Sequence, residues 1–89
     1  MRYLVKIHHS KGDYSAEVPD LPGCIAAAKT VERVRKLIGS AIAMHIESMQ
    51  QSGEKVPRPR QTARLASDEL EDVAFCTWVD VDLGRPVAQ

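Results

Sequence analysis

The chain has 89 residues, room for one domain with a small core, and a domain of this size gains stability by burying surface against a partner or a copy of itself. Its 12 basic residues balance its 12 acidic ones, so no global field draws it toward nucleic acid or a membrane surface. No apolar run is long enough to span a bilayer, and Met1 leads straight into a strand-like pattern with no signal-peptide core, which together predict a cytoplasmic protein.

Tyr3, Val5 and Ile7 alternate with Arg2, Lys6 and His8, the period of a first strand, with Leu4 blurring its polar side. Lys11-Gly12-Asp13 supplies a hairpin turn around its Gly-Asp pair, because Gly takes positive φ freely and Asp bonds to nearby backbone. In the second strand, Tyr14 to Val18, Tyr14, Ala16 and Val18 alternate with polar residues. Pro19, Asp20, Leu21, Pro22 and Gly23 then form a rigid structural turn: neither proline can donate to a ladder, each fixes φ near a turn value, and Gly23 lets the chain leave. A short third strand, Cys24 to Lys29, carries Ala26, Ala27 and Ala28, small enough for another element to pack closely. Cys24 and Cys76 are the only cysteines; they lack the close Cys and His spacing of a zinc site and read as free thiols in a reducing compartment.

Thr30 caps a helix, with Glu32 in the first turn where the helix dipole favours negative charge. Val31, Val34, Ile38, Ala41, Ile42, His45 and Met49 recur at three- and four-residue intervals as one apolar stripe, widened by Leu37 and Met44. Arg33, Lys36, Ser40, Glu47 and Gln50 fall on the water side, and Gly53 supplies a left-handed cap. Five or six turns at ~1.5 Å per residue can cover a small sheet. Residues 54–64 read as a linker, blocked from regular pairing by Pro57 and Pro59 and solvated by Arg58, Arg60 and Arg64. Residues 67–72 offer one helical turn capped by Ser67. A fourth strand runs from Val73 to Leu83, with Phe75, Thr77, Val79, Val81 and Leu83 on one face and Cys76, Trp78, Asp80 and Asp82 on the other. Gly84 and Pro86 break it.

The order β-β-β-α-β predicts an α+β fold with one domain over residues 1–83 and a tail over 84–89. In it, a three-stranded meander gains a final strand beside and parallel to the first, with one long helix covering one face through a right-handed crossover. The other face is expected to be open.

On that face Trp78 stands out, because tryptophan is enriched at the centres of interfaces; partial burial under the linker is the alternative. Asp80 and Asp82 share the face, as residues two apart do, and would serve a metal-dependent nuclease only if further carboxylates converged. Two acids at that spacing are also ordinary on a solvated sheet face. Arg58, Arg60 and Arg64 have two readings, phosphate contacts or a solvated loop tethered over a partner. His45 reads as a packed histidine, and adjacent His8 and His9 point to opposite faces and cannot share a metal. No serine or cysteine has the context of an activated nucleophile, so no catalytic residue, metal or cofactor is assigned. The candidate partner interface is Trp78, Cys76, Asp80, Asp82, Arg58 and Arg60.

Several of these features occur together in one family. Tyr3-Leu4-Val5, Gly12-Asp13-Tyr14, Val18-Pro19-Asp20-Leu21-Pro22-Gly23-Cys24, Thr30-Val31-Glu32, Gly53-Glu54-Lys55-Val56-Pro57-Arg58-Pro59 and Trp78-Val79-Asp80-Val81-Asp82 follow one another as in HicB-type antitoxins, which the chain resembles over residues 1–83. The resemblance implies a fold like a partial RNase H core without its catalytic role, and a protein that binds a small HicA-type ribonuclease toxin and covers its active site. Apart from the resemblance, the small size and the open sheet face lead us to expect a homodimer or higher homo-oligomer, formed by strand-edge pairing or through that face. Many members carry a DNA-binding segment after the last strand; about six residues follow Leu83 here, too few for one, so direct operator binding is not expected. Two other functions stay open from the sequence: an orphan HicB-like scaffold or oligomerisation domain with no toxin, and an RNase H-like metal-dependent nuclease.

Overall fold

A computed structural model describes residues 1–70 and 72–81. These residues form four strands, β1 (Arg2–Ser10), β2 (Asp13–Glu17), β3 (Ile25–Ala28) and β4 (Phe75–Asp80), and one α-helix, α1 (Val31–Gln51), with a short 3-10 turn at Ser67–Glu69. The strands join in one sheet of order β3-β2-β1-β4, and every pair is antiparallel.

The hairpin between β1 and β2 closes one residue earlier than the sequence suggests. Ser10 pairs with Asp13, so the two loop residues are Lys11 and Gly12, with φ of 40° and 82°. Positive φ at both positions is what a two-residue turn needs to match strand twist. Asp13 begins β2 instead, where its carboxylate meets Lys29 Nζ at 3.0 Å.

The proline corner consists of two linked turns. The Leu21 N–H donates to the Val18 carbonyl and the Cys24 N–H to the Leu21 carbonyl, both at 3.0 Å. In the second turn Pro22 precedes Gly23 with φ 90°, the positive value that a type II turn places after its proline. Leu21 points inward and is fully buried, which ties the corner to the core.

In α1, Val34, Ile38, Ile42 and Ile46 are buried against Tyr3, Val5 and Ile7 of β1 and Ala16 of β2. Each such aliphatic side chain contributes about 1.5–3 kcal/mol on leaving water. Thr30 caps the helix as expected, its hydroxyl accepting from the Arg33 N–H at 3.1 Å, and Gly53 adopts φ 75° just past the end. Two details of the stripe change. Ile46 belongs to the buried row, whereas Leu37 and Met44 are exposed, because α1 lies close to the small residues of β3 and turns that flank outward.

The final strand lies beside the first, but antiparallel to it, contrary to the parallel arrangement expected. The cause is where the chain stands after α1 and where it enters β4. At the end of α1 the chain is beside the start of β1, where the Tyr3 hydroxyl donates to the Pro57 carbonyl at 2.9 Å. A direct entry from there would be parallel. Instead the chain crosses to the far end of β1: the Asp72 carbonyl sits 2.8 Å from His8 Nδ1, and the Ala74 N–H donates to the Ile7 carbonyl at 2.8 Å. β4 starts opposite Ile7 and returns to Arg2.

That crossing also corrects the open face. Leu4 and Lys6 point away from α1, yet they are only 1% and 8% exposed, and the segment from Arg58 to Gln61 runs along this side of the sheet. Lys6 keeps its charge partnered there, with Nζ 3.4 Å from Glu17 Oε1. Strand β4 is an edge strand, which leaves Phe75 40% exposed although it faces the helix side. Asp82 and Leu83, placed in the fourth strand by alternation, lie outside the described residues.

Candidate functional site

The site is built on the second sheet face, where β1 and β4 meet the crossing segment. Leu4 pairs with Trp78, Arg2 with Asp80 and Lys6 with Cys76, so one alternating set from each strand shares this face. Between these strands and the segment from Arg58 to Gln61 lies an open cleft of about 690 Å³. Trp78, Arg2 and Met1 form one wall; Arg58, Pro59, Arg60 and Gln61 form the other.

The three arginines of the cleft differ in availability. Arg60 is fully committed: its backbone N–H donates to Asp20 Oδ2 at 2.9 Å, Nη2 to Asp20 Oδ1 at 2.8 Å, and Nη1 to Glu69 Oε1 at 3.0 Å. Nη1 also donates to the Arg64 carbonyl at 2.6 Å, and the Ala66 N–H donates to Glu69 Oε1 at 2.8 Å. One guanidinium thus joins the proline corner, the crossing segment and the 3-10 turn. Arg2 is looser. Its guanidinium carbon lies 5.6 Å from the centre of the Trp78 ring, and its Nε is 4.0 Å from Asp80 Oδ1, with both side chains mostly in water. Arg58 is exposed and meets no carboxylate among the described residues.

The charges leave a mark on protonation. Burial pushes the Asp20 carboxyl up, but the bonds from the Arg60 side chain and backbone outweigh it and hold the group below its ordinary range. The Arg60 bonds, aided by the Ala66 N–H, lower Glu69 to about 2. Burial raises both thiols, Cys24 and Cys76, and at Cys76 the cations Lys6 and Arg60 act the other way.

Of the interface residues named from the sequence, the structure brings Trp78, Arg58 and Arg60 to one cleft. Cys76 shares the face but stands beside Lys6, away from the cleft wall, and Asp80 sits at the rim beside Arg2. Arg60 is not the solvated loop residue expected; its partners are carboxylates 40 and 9 residues away. Ser67 does not cap the short turn, which Glu69 closes from within by accepting from Ala66. Sequence reasoning missed Met1, Arg2, Pro59 and Gln61. The signal for Arg2 was its place in the alternation of the first strand, which meets Trp78 only once the β1–β4 register is known. Among the described residues no group of three or more His, Cys, Asp or Glu side chains could hold a metal ion, and no helix is long and apolar enough to cross a membrane.

Comparison with known proteins gives a consistent result. The family described as "HicB_like antitoxin of bacterial toxin-antitoxin system" matches residues 3–88. An uncharacterised 14.9 kDa protein from the rep-hol intergenic region of Haemophilus phage HP1 is 31% identical over 93% of this chain, which spans 62% of that protein's length. The UPF0150 protein Ta0767 of Thermoplasma acidophilum is 41% identical over 65% of this chain and 86% of its own. Among solved structures, a chain of a HicA3 and HicB3 toxin–antitoxin complex superposes with a TM-score of 0.77 at 26% identity, over 92% of this chain and 99% of that one. The N-terminal domain of Burkholderia pseudomallei antitoxin HicB gives 0.76 at 29% identity, over 93% and 100%.

Proposed function

This chain belongs to the HicB-like antitoxins of bacterial toxin–antitoxin systems, and from that premise we propose that it neutralises a HicA-type ribonuclease toxin by seating on it and occluding its active site. The observation that carries the reading is the cleft at Trp78. Its walls contain tryptophan, methionine and arginine, the residue types enriched at interface centres, and among the described residues none of the lysine, aspartate, glutamate, serine or alanine in which such centres are depleted. The wall is also held before a partner arrives, because Arg60 fixes the segment on which Arg58 and Pro59 stand; less side-chain and loop freedom is then lost on docking. The likeness to a chain taken from a toxin–antitoxin complex supports the same role.

Inhibition on this account is steric and involves no chemistry by this chain. Self-association completes the assembly: β3 and β4 each have one neighbour, and a free strand edge offers unpaired N–H and C=O groups to a second copy. The test is co-expression with a HicA-type toxin encoded beside this gene. Growth is restored by the intact chain and the two proteins co-purify; continued arrest with both proteins present at comparable levels contradicts the proposal.

A further inference from the structure

We infer that the Trp78 cleft receives a short acidic, aromatic peptide segment, with a carboxylate against Arg58 and Arg2 and a flat side chain against the indole. This rests on the binding role proposed above and names the chemistry of what the cleft binds. Among the described residues no acidic side chain lines the cleft, whereas three arginines do. Arg60 is neutralised by Asp20 and Glu69 and serves as fixed wall. Arg58 has no carboxylate partner among the described residues. The Arg2–Asp80 pair, 4.0 Å apart with side chains 61% and 85% exposed, is a solvated surface pair that contributes little, so an incoming carboxylate displaces it readily. Two guanidinium groups are therefore ready for an anion, and their planar forks suit a carboxylate held by two parallel bonds.

The remaining walls call for a flat apolar group. The Trp78 ring, Pro59 and Met1 offer broad apolar surfaces beside the cations, and arginine already stacks on the indole. A nucleic acid strand fits less well. Phosphates need a continuous basic track with successive stacking platforms, whereas this cleft has one aromatic ring and two available guanidinium groups.

Trp78 is the only tryptophan, so its emission reports on the cleft alone. The full chain is titrated with the peptide acetyl-Gly-Glu-Phe-Asp-Gly-amide, with its Gln/Asn counterpart and with an oligouridylate, and calorimetry follows the variants. The acidic peptide should give a saturable emission change below about 5 mM, with the amide counterpart and the oligouridylate each at least ~10-fold weaker. Arg58→Ala, a surface change that leaves the fold intact by circular dichroism, should weaken the acidic peptide ~5- to 10-fold, and Met44→Ala, away from the cleft, should not. No saturation, equal binding of the amide peptide, tighter binding of the oligouridylate, or an unchanged affinity in Arg58→Ala each overturns the inference. If the peptide fails while co-expressed toxin is still neutralised, only this inference falls; if the peptide binds and toxin is not neutralised, the antitoxin reading falls instead.

Discussion

Arg60 follows the second proline of a Pro-Arg-Pro run, and Asp20 lies between the prolines of the corner. Both sit where the backbone has little freedom, so the bonds between them cost little additional order. Neither residue announces the other in the sequence. Complementary charges on two stiff turns were visible, but pairing across 40 positions follows only from the route of the chain over the sheet. Replacing Arg60 by Ala leaves two carboxylates facing each other and should lower the thermal midpoint by about 5–10 °C. Arg60→Lys should recover only part of the loss, because one ammonium cannot span both carboxylates as the planar fork does. Acid provides a second test at this scale. The Arg60 bonds outweigh burial at Asp20 and dominate at Glu69, so both groups titrate below their ordinary values of 3.8 and 4.5, with Glu69 at about 2. Their contribution to stability is then complete above pH 4.5 and declines as the pH falls toward about 2. Thermal midpoints measured from pH 5 to pH 2 should fall more steeply in the intact chain than in Arg60→Ala; parallel curves would rule the clasp out.

At the scale of elements, the helix and the corner were the most legible parts, since both depend on local rules. Threonine cap, apolar period and terminal glycine each act within a turn or two, and they placed α1 correctly. His45 and Ile46 both continue the three- and four-residue spacing, and only the packing of α1 on the sheet decides that Ile46 is the buried one. The direction of β4 was not legible. A helix returning to the start of β1 permits a parallel strand by short connection, and nothing local in residues 54–74 states that they cross the sheet first. Two substitutions probe these elements. Gly23→Ala should cost about 1–2 kcal/mol in chemical denaturation, all of it from φ 90°, because a methyl group there meets nothing within 4 Å; Gly23→Asn should cost less. Ile42→Ala removes a fully buried side chain at the centre of the helix face and should cost about 2–5 kcal/mol. A loss below 1 kcal/mol in that variant would mean the helix contributes little to the core.

For the whole molecule, the sheet has two unlike faces. One is sealed by α1; the other is bridged by a strap that covers its centre and leaves a cleft at the Arg2 end. Trp78 on the second face was identifiable by alternation alone, but the cleft was not, since its far wall comes from a segment that carries no periodic signal. On the proposed function, the helix face carries stability and the strapped face carries recognition. Trp78→Ala should weaken toxin binding at least ~10-fold while the far-ultraviolet spectrum and the cooperativity of unfolding stay as in the intact chain. The most direct measurement is an RNA-cleavage assay in which purified chain is titrated against a purified HicA-type toxin. The account predicts that cleavage falls to background at a fixed molar ratio and that Trp78→Ala shifts the curve to higher concentration. Undiminished cleavage at excess chain, or cleavage of RNA by the chain alone, would contradict it.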